Sequence, residues 1–123
     1  MVVWWSAEPT QLSIAAEAAI SGAEELAMAA ITWYELAWLT TNGRIDVGMP
    51  VSSWFRSLAR TFGTLGITPA IAETAAALPA TFPGDPVDRL IYATAVEYGC
   101  QLVTKDQRLR DHPHPGPRPI TVW

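Results

Sequence analysis

Short apolar runs alternate with segments of helical periodicity along the chain, and this alternation limits the fold more than any other feature of the sequence. The clearest pair lies in the C-terminal half. Apolar residues recur at helical spacing from Val87 to Tyr98, Gly99 follows, and residues 100–104 form a strand-like run. Such alternation is typical of α/β layers around a mainly parallel sheet. Because 123 residues suit one domain, we expect a single α/β domain over residues 1–123.

The same periodicities predict the other elements. Apolar spacings of three and four residues predict helices over residues 11–21, 32–41, 50–62, 70–78 and 106–111. Short apolar runs predict strands over residues 25–31, 65–68, 100–104 and 120–123, the last as an edge strand. Three tryptophans lie near the apolar helical faces and are expected in the core, namely Trp33, Trp38 and Trp54.

Composition excludes several classes of protein. Half of the residues are apolar, which is enough for a core and argues against disorder. No apolar run reaches the roughly 18 residues of a membrane span, and no signal peptide is recognisable. A lone cysteine, Cys100, excludes an internal disulfide and is expected to pack in the core. We therefore expect a cytoplasmic protein without a membrane segment.

The charge of the chain gives a mixed indication about nucleic acid. A net charge of −4 argues against general coating of nucleic acid. Half of the eight basic residues nevertheless lie between Arg89 and Arg110. A local basic rim and an ordinary solvated face both fit this pattern.

Three acids fall at equivalent places, close to the junctions between strands and helices. Glu35 and Asp106 each follow a predicted strand, and Asp88 lies in the first turn of its helix. Because the strand-to-helix turns of a parallel sheet share one edge, the three acids are expected to converge there. Clustered carboxylates repel one another, and a divalent cation relieves the repulsion. Oxygen ligands favour Mg²⁺ or Mn²⁺ over zinc.

Helix capping is the alternative interpretation of each acid. Residues 32–35 have the pattern of a capping box, and Asp85 precedes Pro86 as an N-cap with Asp88 at the third helical position. Asp106 is also placed to cap its own helix. Each cap contributes about 1 kcal/mol, so the sequence leaves both interpretations open.

At this point the motifs resemble a known family. The segment DPVDRLIYATAVEYGCQLVTKDQRLR, residues 85–110, resembles the C-terminal half of VapC-type toxins, which are PIN-domain ribonucleases. The segment AAITWYELAWL, residues 29–39, looks like the family segment that carries its second acid, and Trp4–Trp5 look like part of the helix after the first strand. The resemblance implies a PIN-like three-layer α/β/α fold with a mainly parallel sheet.

The resemblance also implies roles for individual residues. The acidic positions of the family fall on Glu35, Asp88 and Asp106, which would hold Mg²⁺ or Mn²⁺ for endoribonucleolytic hydrolysis of RNA. Thr104 stands where the family has a hydroxyl beside the site, and Asp85 stands at the helix-capping acid. Arg89 follows the motif aspartate and would support the site or contact the phosphates of the RNA strand.

The family resemblance further implies partners. These are an RNA substrate, a cognate VapB-type antitoxin in a type II toxin-antitoxin system, and a second copy in a homodimer. Exposed tryptophans would supply an apolar surface for either protein partner.

One departure from the family pattern is expected to matter. The family begins with a strand of the form L-L-D-T/S-H, whose aspartate is its first acid, and this strand would precede Met1. A start site assigned too late and a truncated, inactive copy both explain its absence. The second explanation makes the chain a truncated PIN module that retains only antitoxin and dimer binding.

Other chemistry finds little support in the sequence. No glycine-rich phosphate loop and no nucleophile-elbow motif is present. His112 and His114 lie in a proline-rich tail without partners, so a loop role is expected in preference to metal binding.

Overall fold

The computed structural model describes residues 11–114, 116 and 120–123. The predicted helix around Trp4–Trp5 lies outside this part of the chain. The described elements, in chain order, are α1 (Ile14–Ser21), β1 (Leu26–Ala29), α2 (Ala30–Thr41), α3 (Val51–Thr61), β2 (Phe62–Leu65), α4 (Pro69–Ala77), α5 (Pro86–Tyr98), β3 (Leu102–Val103), α6 (Gln107–Arg110) and β4 (Thr121–Val122).

The strands form two parallel pairs. Strand β1 pairs with β2, with Leu26 opposite Phe62. Strand β3 pairs with β4, with Leu102 opposite Thr121. Parallel neighbours need crossover connections, and helices supply them in the β1–β2 pair. The predicted α/β class with parallel pairing is confirmed, although the described strands form two separate sheets of two strands each.

Two element boundaries differ from the prediction. Helix α2 begins at Ala30, directly after β1, and its N-cap Ala29 makes no side-chain hydrogen bond. The capping box predicted at residues 32–35 is therefore wrong, because the N-cap of α2 lies three residues earlier, at Ala29. The strand predicted over 65–68 is also wrong, since β2 begins at Phe62. Pairing with β1 places Phe62 in the strand, whereas its spacing from the preceding apolar residues predicted a helical position.

The buried side chains divide into three clusters. One, between β1, α2 and α3, has the buried residues Met28, Leu36, Trp54 and Leu58. A second has Phe82, Tyr92, Ala95, Leu109 and Ile120, and the third has Ile71, Ala75 and Ala93. All three include or adjoin the two helices that carry the candidate acids, so hydrophobic packing holds these helices in place.

The predicted core tryptophans have different environments. Trp54 is buried, and half-buried Trp33 packs beside it and donates from Nε1 to the hydroxyl of Thr64 at 2.9 Å. Trp38 is 45% exposed, so its predicted core position is wrong. It lies on the outer face of α2, on the opposite side from Leu36.

Cys100 is exposed, and its predicted place in the core is also wrong. Helix α5 ends at Gly99, whose φ of 66° lies in the left-handed region that favours glycine. The amide of Cys100 then donates to the carbonyl oxygen of Ala95 at 2.9 Å. Cys100 therefore completes the helix terminus at the surface, and strand β3 begins only at Leu102.

No helix in the described ranges combines the length and apolar character needed to cross a membrane.

Candidate active site

Packing between α5 and its neighbours brings distant acids together. Helix α5 contacts α2, β1 and α4. Glu35 lies in the second turn of α2, and Asp88 lies in the first turn of α5. Because α2 continues directly from β1, the strand fixes where Glu35 is presented. Both side chains are partly buried.

The pKa values of Glu35 and Asp88 show that these acids share one environment. Burial raises the pKa of Glu35, and repulsion from Asp88 and then Asp85 raises it further. Burial also raises the pKa of Asp88, with added repulsion from Asp85 and Asp106 and an opposing attraction from Arg108. Asp88 therefore interacts electrostatically with Glu35, Asp85 and Asp106, and it links the three acids that the sequence singles out. We refer to Glu35, Asp88 and Asp106 as the acidic group.

Asp106 differs from the other two because it is already neutralised. Its Oδ1 accepts from the backbone N of Arg108 at 2.9 Å and from Nε of the same residue at 3.1 Å. Its Oδ2 accepts from Nη2 at 2.7 Å. The side-chain hydrogen bonds from Arg108 are the main cause that lowers the pKa of Asp106. Asp106 thus caps α6, as the capping interpretation expects, and forms an ion pair as well.

The hydroxyl of Thr104 holds the backbone of Asp106 through a hydrogen bond. Thr104 is buried, and its Oγ1 accepts a hydrogen bond from the backbone N of Asp106 at 3.1 Å. This bond stabilises the turn between β3 and α6, and Asp106 belongs to that turn. Thr104 therefore lies next to Asp106 and holds its backbone.

Asp85 has the geometry of a cap. Its Oδ1 accepts from the backbone N of Val87 at 2.8 Å, and Pro86 occupies the start of α5. The Asp85 side chain is exposed, whereas 18% of the Asp88 side chain is exposed. Asp85 begins the helix, and Asp88, within the first turn, belongs to the acidic group.

Arg89 faces away from the acids. Its guanidinium donates five hydrogen bonds to five backbone carbonyl oxygens, those of Ala75, Leu78, Pro79, Phe82 and Pro83. An arginine has five N–H donors, so all of them are engaged. The guanidinium also lies 5.7 Å from the ring centroid of Phe82. Arg89 therefore holds the end of α4 and the following loop, and it has no donor left for an RNA phosphate.

Arg108 is the residue that sequence reasoning missed. Besides Asp106, its Nη2 lies 3.4 Å from Oδ2 of Asp88. Among the described residues, both ion pairs involve Arg108. A usable signal was present in the sequence: an arginine two residues after an N-cap aspartate lies within reach of that carboxylate.

His112 packs among aromatic rings. The ring of His112 makes edge contacts with Phe82 and Tyr92, with centroid distances of 4.9 and 5.5 Å. This packing agrees with the structural role expected for the tail.

The chemistry of the acidic group suits a hard divalent cation, since its donors are carboxylate oxygens. Burial, together with repulsion from neighbouring carboxylates, also raises the pKa of two of the three acids, Glu35 and Asp88. Across the described part of the chain, however, no three or more histidine, cysteine, aspartate or glutamate side chains are arranged to hold a metal ion. The donor types fit the ion, whereas the side chains do not form a coordination shell.

Comparison with known proteins defines the class. Residues 1–115 match the PIN domain, and the chain belongs to the PIN-domain family. Within that family it is of the VapC type. It is 62% identical over 120 residues to Ribonuclease VapC22 of Mycobacterium tuberculosis, in an alignment that covers 98% of this chain and 91% of that relative. No solved structure gives a match to the chain.

Proposed function

We propose that the chain is the toxin of a type II toxin-antitoxin system and an endoribonuclease that hydrolyses RNA phosphodiester bonds with a divalent cation. The observation that carries the proposal is the 62% identity to a ribonuclease, over 98% of the chain. PIN nucleases generally use a divalent metal ion. The coupled acids supply the oxygen ligands such an ion prefers.

Glu35, Asp88 and Asp106 would hold Mg²⁺ or Mn²⁺. When bound, the ion would supply a water of lowered pKa and neutralise charge on the scissile phosphate. Asp85 and Thr104 would position these ligands. The cap of Asp85 fixes the first turn of α5, on which Asp88 stands. The hydroxyl of Thr104 holds the backbone of Asp106. No covalent nucleophile is required.

We also propose a VapB-type antitoxin and a second copy of the chain as protein partners. Apolar side chains on α2 support this proposal. Tyr34 is 64% exposed and Trp38 is 45% exposed, and they lie one helical turn apart on the same face. Tyrosine and tryptophan are enriched in protein–protein interfaces relative to the rest of the surface. The RNA substrate is expected to be single-stranded, because its bases are accessible to a protein.

Cleavage of single-stranded RNA tests the proposal. The purified protein is incubated with RNA and Mg²⁺ or Mn²⁺, and with EDTA as a parallel sample. We expect cleavage only with the cation, and loss of cleavage in Glu35→Gln. The matched control is Glu73→Gln, which makes the same change on an exposed face of α4. Equal activity in the two variants, or full activity in EDTA, would contradict the proposal. A folded protein that binds its antitoxin but leaves RNA intact would favour the inactive PIN module.

A further inference from the structure

The guanidinium of Arg108 lies across the oxygens of two candidate ligands. Two of its nitrogens contact the two oxygens of Asp106, at 3.1 and 2.7 Å. One of them also lies 3.4 Å from Asp88. The Arg108 side chain is 65% exposed, whereas those of Asp106 and Asp88 are 26% and 18% exposed. Arg108 thus reaches into the acidic group from the solvent side.

These contacts occupy most of the acceptor capacity of Asp106. A carboxylate offers about four lone-pair positions. Arg108 fills three of them, with one backbone and two side-chain hydrogen bonds. An ion bound to both oxygens of Asp106 would meet these donors and the positive charge of the guanidinium. The guanidinium and a divalent cation therefore compete for the same oxygens.

We infer that Arg108 is an internal counter-cation, which neutralises Asp106 and Asp88 and must leave them before a divalent ion binds. The inference rests on the proposed function, because it assumes that these acids are the ligands. It agrees with the finding that, among the described residues, no three histidine, cysteine, aspartate or glutamate side chains are arranged to hold a metal ion. Nε and Nη2 of Arg108 bind the two oxygens of the Asp106 carboxylate and hold this carboxylate against α6.

The exposure of Arg108 sets the strength of this competition. Exposed ion pairs are weak, because both charges are solvated and the side chain loses freedom on pairing. Their usual strength corresponds to a factor of about two to five in an equilibrium constant. Arg108 therefore weakens metal binding by a modest factor and does not prevent it.

Calorimetric titration with Mn²⁺ alone tests the inference, at fixed ionic strength and without RNA. We expect Arg108→Gln to bind Mn²⁺ about fivefold more tightly than the wild type. Arg108→Lys is expected to lie between them, because lysine keeps the charge but lacks the planar fork. The matched control is Arg110→Gln on the same helix. Arg110 bonds to Gln107, and its variant removes an equal charge without freeing a carboxylate.

Each result of the titration supports or overturns the role of Arg108. A gain in Arg108→Gln that clearly exceeds the gain in Arg110→Gln supports the inference, and so does a heat of binding that rises above the detection limit only in Arg108→Gln. Equal affinity of the wild type and both glutamine variants overturns the inference and leaves the proposed function standing. An equal gain in both glutamine variants overturns it too, because the effect is then one of net charge. Absence of Mn²⁺ binding in every variant overturns the proposed function along with the inference.

Discussion

The Nη1 atom of Arg89 lies 2.9 Å from the carbonyl oxygen of Leu78, the residue that follows helix α4. The same guanidinium reaches four further carbonyl oxygens between residues 75 and 83. One side chain therefore ties the end of α4 to the first turn of α5, on which Asp88 stands. The position of the candidate site depends on an arginine that does not face it.

Replacement of Arg89 is expected to destabilise the fold. Arg89→Lys keeps the charge but loses the planar fork, so several partly buried carbonyl oxygens lose their donors. We expect a loss of about 2 kcal/mol in the free energy of unfolding, measured by urea denaturation. The control is Arg56→Lys at an exposed position of α3, which should change stability little. Equal stability of the two variants would show that the carbonyl contacts contribute little.

The two acids at the start of α5 are expected to respond differently to amidation. Asp85→Asn should retain most RNA cleavage, because asparagine caps a helix nearly as well as aspartate. Asp88→Asn should abolish cleavage and leave the fold intact, because an amide oxygen is a poor ligand for a hard cation. Cleavage rates and melting temperatures of the two variants check this. Similar losses of activity would mean that the roles are divided wrongly.

Thr104 is expected to act through its oxygen on the position of Asp106. Thr104→Val removes the acceptor for the Asp106 amide and should cost about 1 kcal/mol in stability, with a reduced cleavage rate. Thr104→Ser keeps the hydroxyl and should retain most of both. Unfolding and RNA cleavage assays on the pair separate the hydroxyl from the volume of the side chain. Full activity of the valine variant would exclude a positioning role.

The Glu35 carboxylate is expected to destabilise the metal-free protein at neutral pH. Burial and repulsion raise the folded-state pKa of Glu35 above its ordinary value of 4.5. A carboxyl with a raised pKa binds its proton more tightly in the folded state, so its favourable contribution is present below 4.5 and is lost as pH rises through the folded-state pKa. Glu35→Gln should therefore raise the melting temperature at pH 7 in EDTA.

This gain should shrink as the pH falls toward the ordinary carboxyl range, because Glu35 is then protonated in both states. Glu73→Gln serves as the control on the exposed face of α4. Melting curves at several pH values check the prediction. A gain that is the same at acidic and neutral pH would point to packing as its cause.

Local rules were sufficient for α5 and its surroundings. The cap at Asp85, the proline after it and the glycine at its end each act within a few residues, so the sequence predicts this helix and its bounds. The alternation of strands and helices predicts the α/β class in the same way. The three acids were predicted as site residues from their positions beside strand and helix junctions, and this stays a prediction. Burial and neighbouring carboxylates raise the pKa of Glu35 and Asp88.

The tertiary structure decided features that depend on contacts across the chain. The register of β2 follows from its pairing with β1, in which Phe62 lies opposite Leu26, 36 residues earlier in the chain. No local sequence pattern contains that information. The direction of the Arg89 side chain depends on where the loop after α4 passes. Arg108 reaches Asp88, 20 residues earlier, only in the folded chain, where Tyr92 of α5 and Leu109 of α6 belong to one buried cluster. The sequence by itself determined the α/β class and the approximate positions of the helices, because these rest on short-range geometry, whereas the role of the three acids stays a prediction. Strand register and the partners of each charged side chain were decided by tertiary packing, because hydrogen bonds and ion pairs depend on distances that only the folded chain fixes.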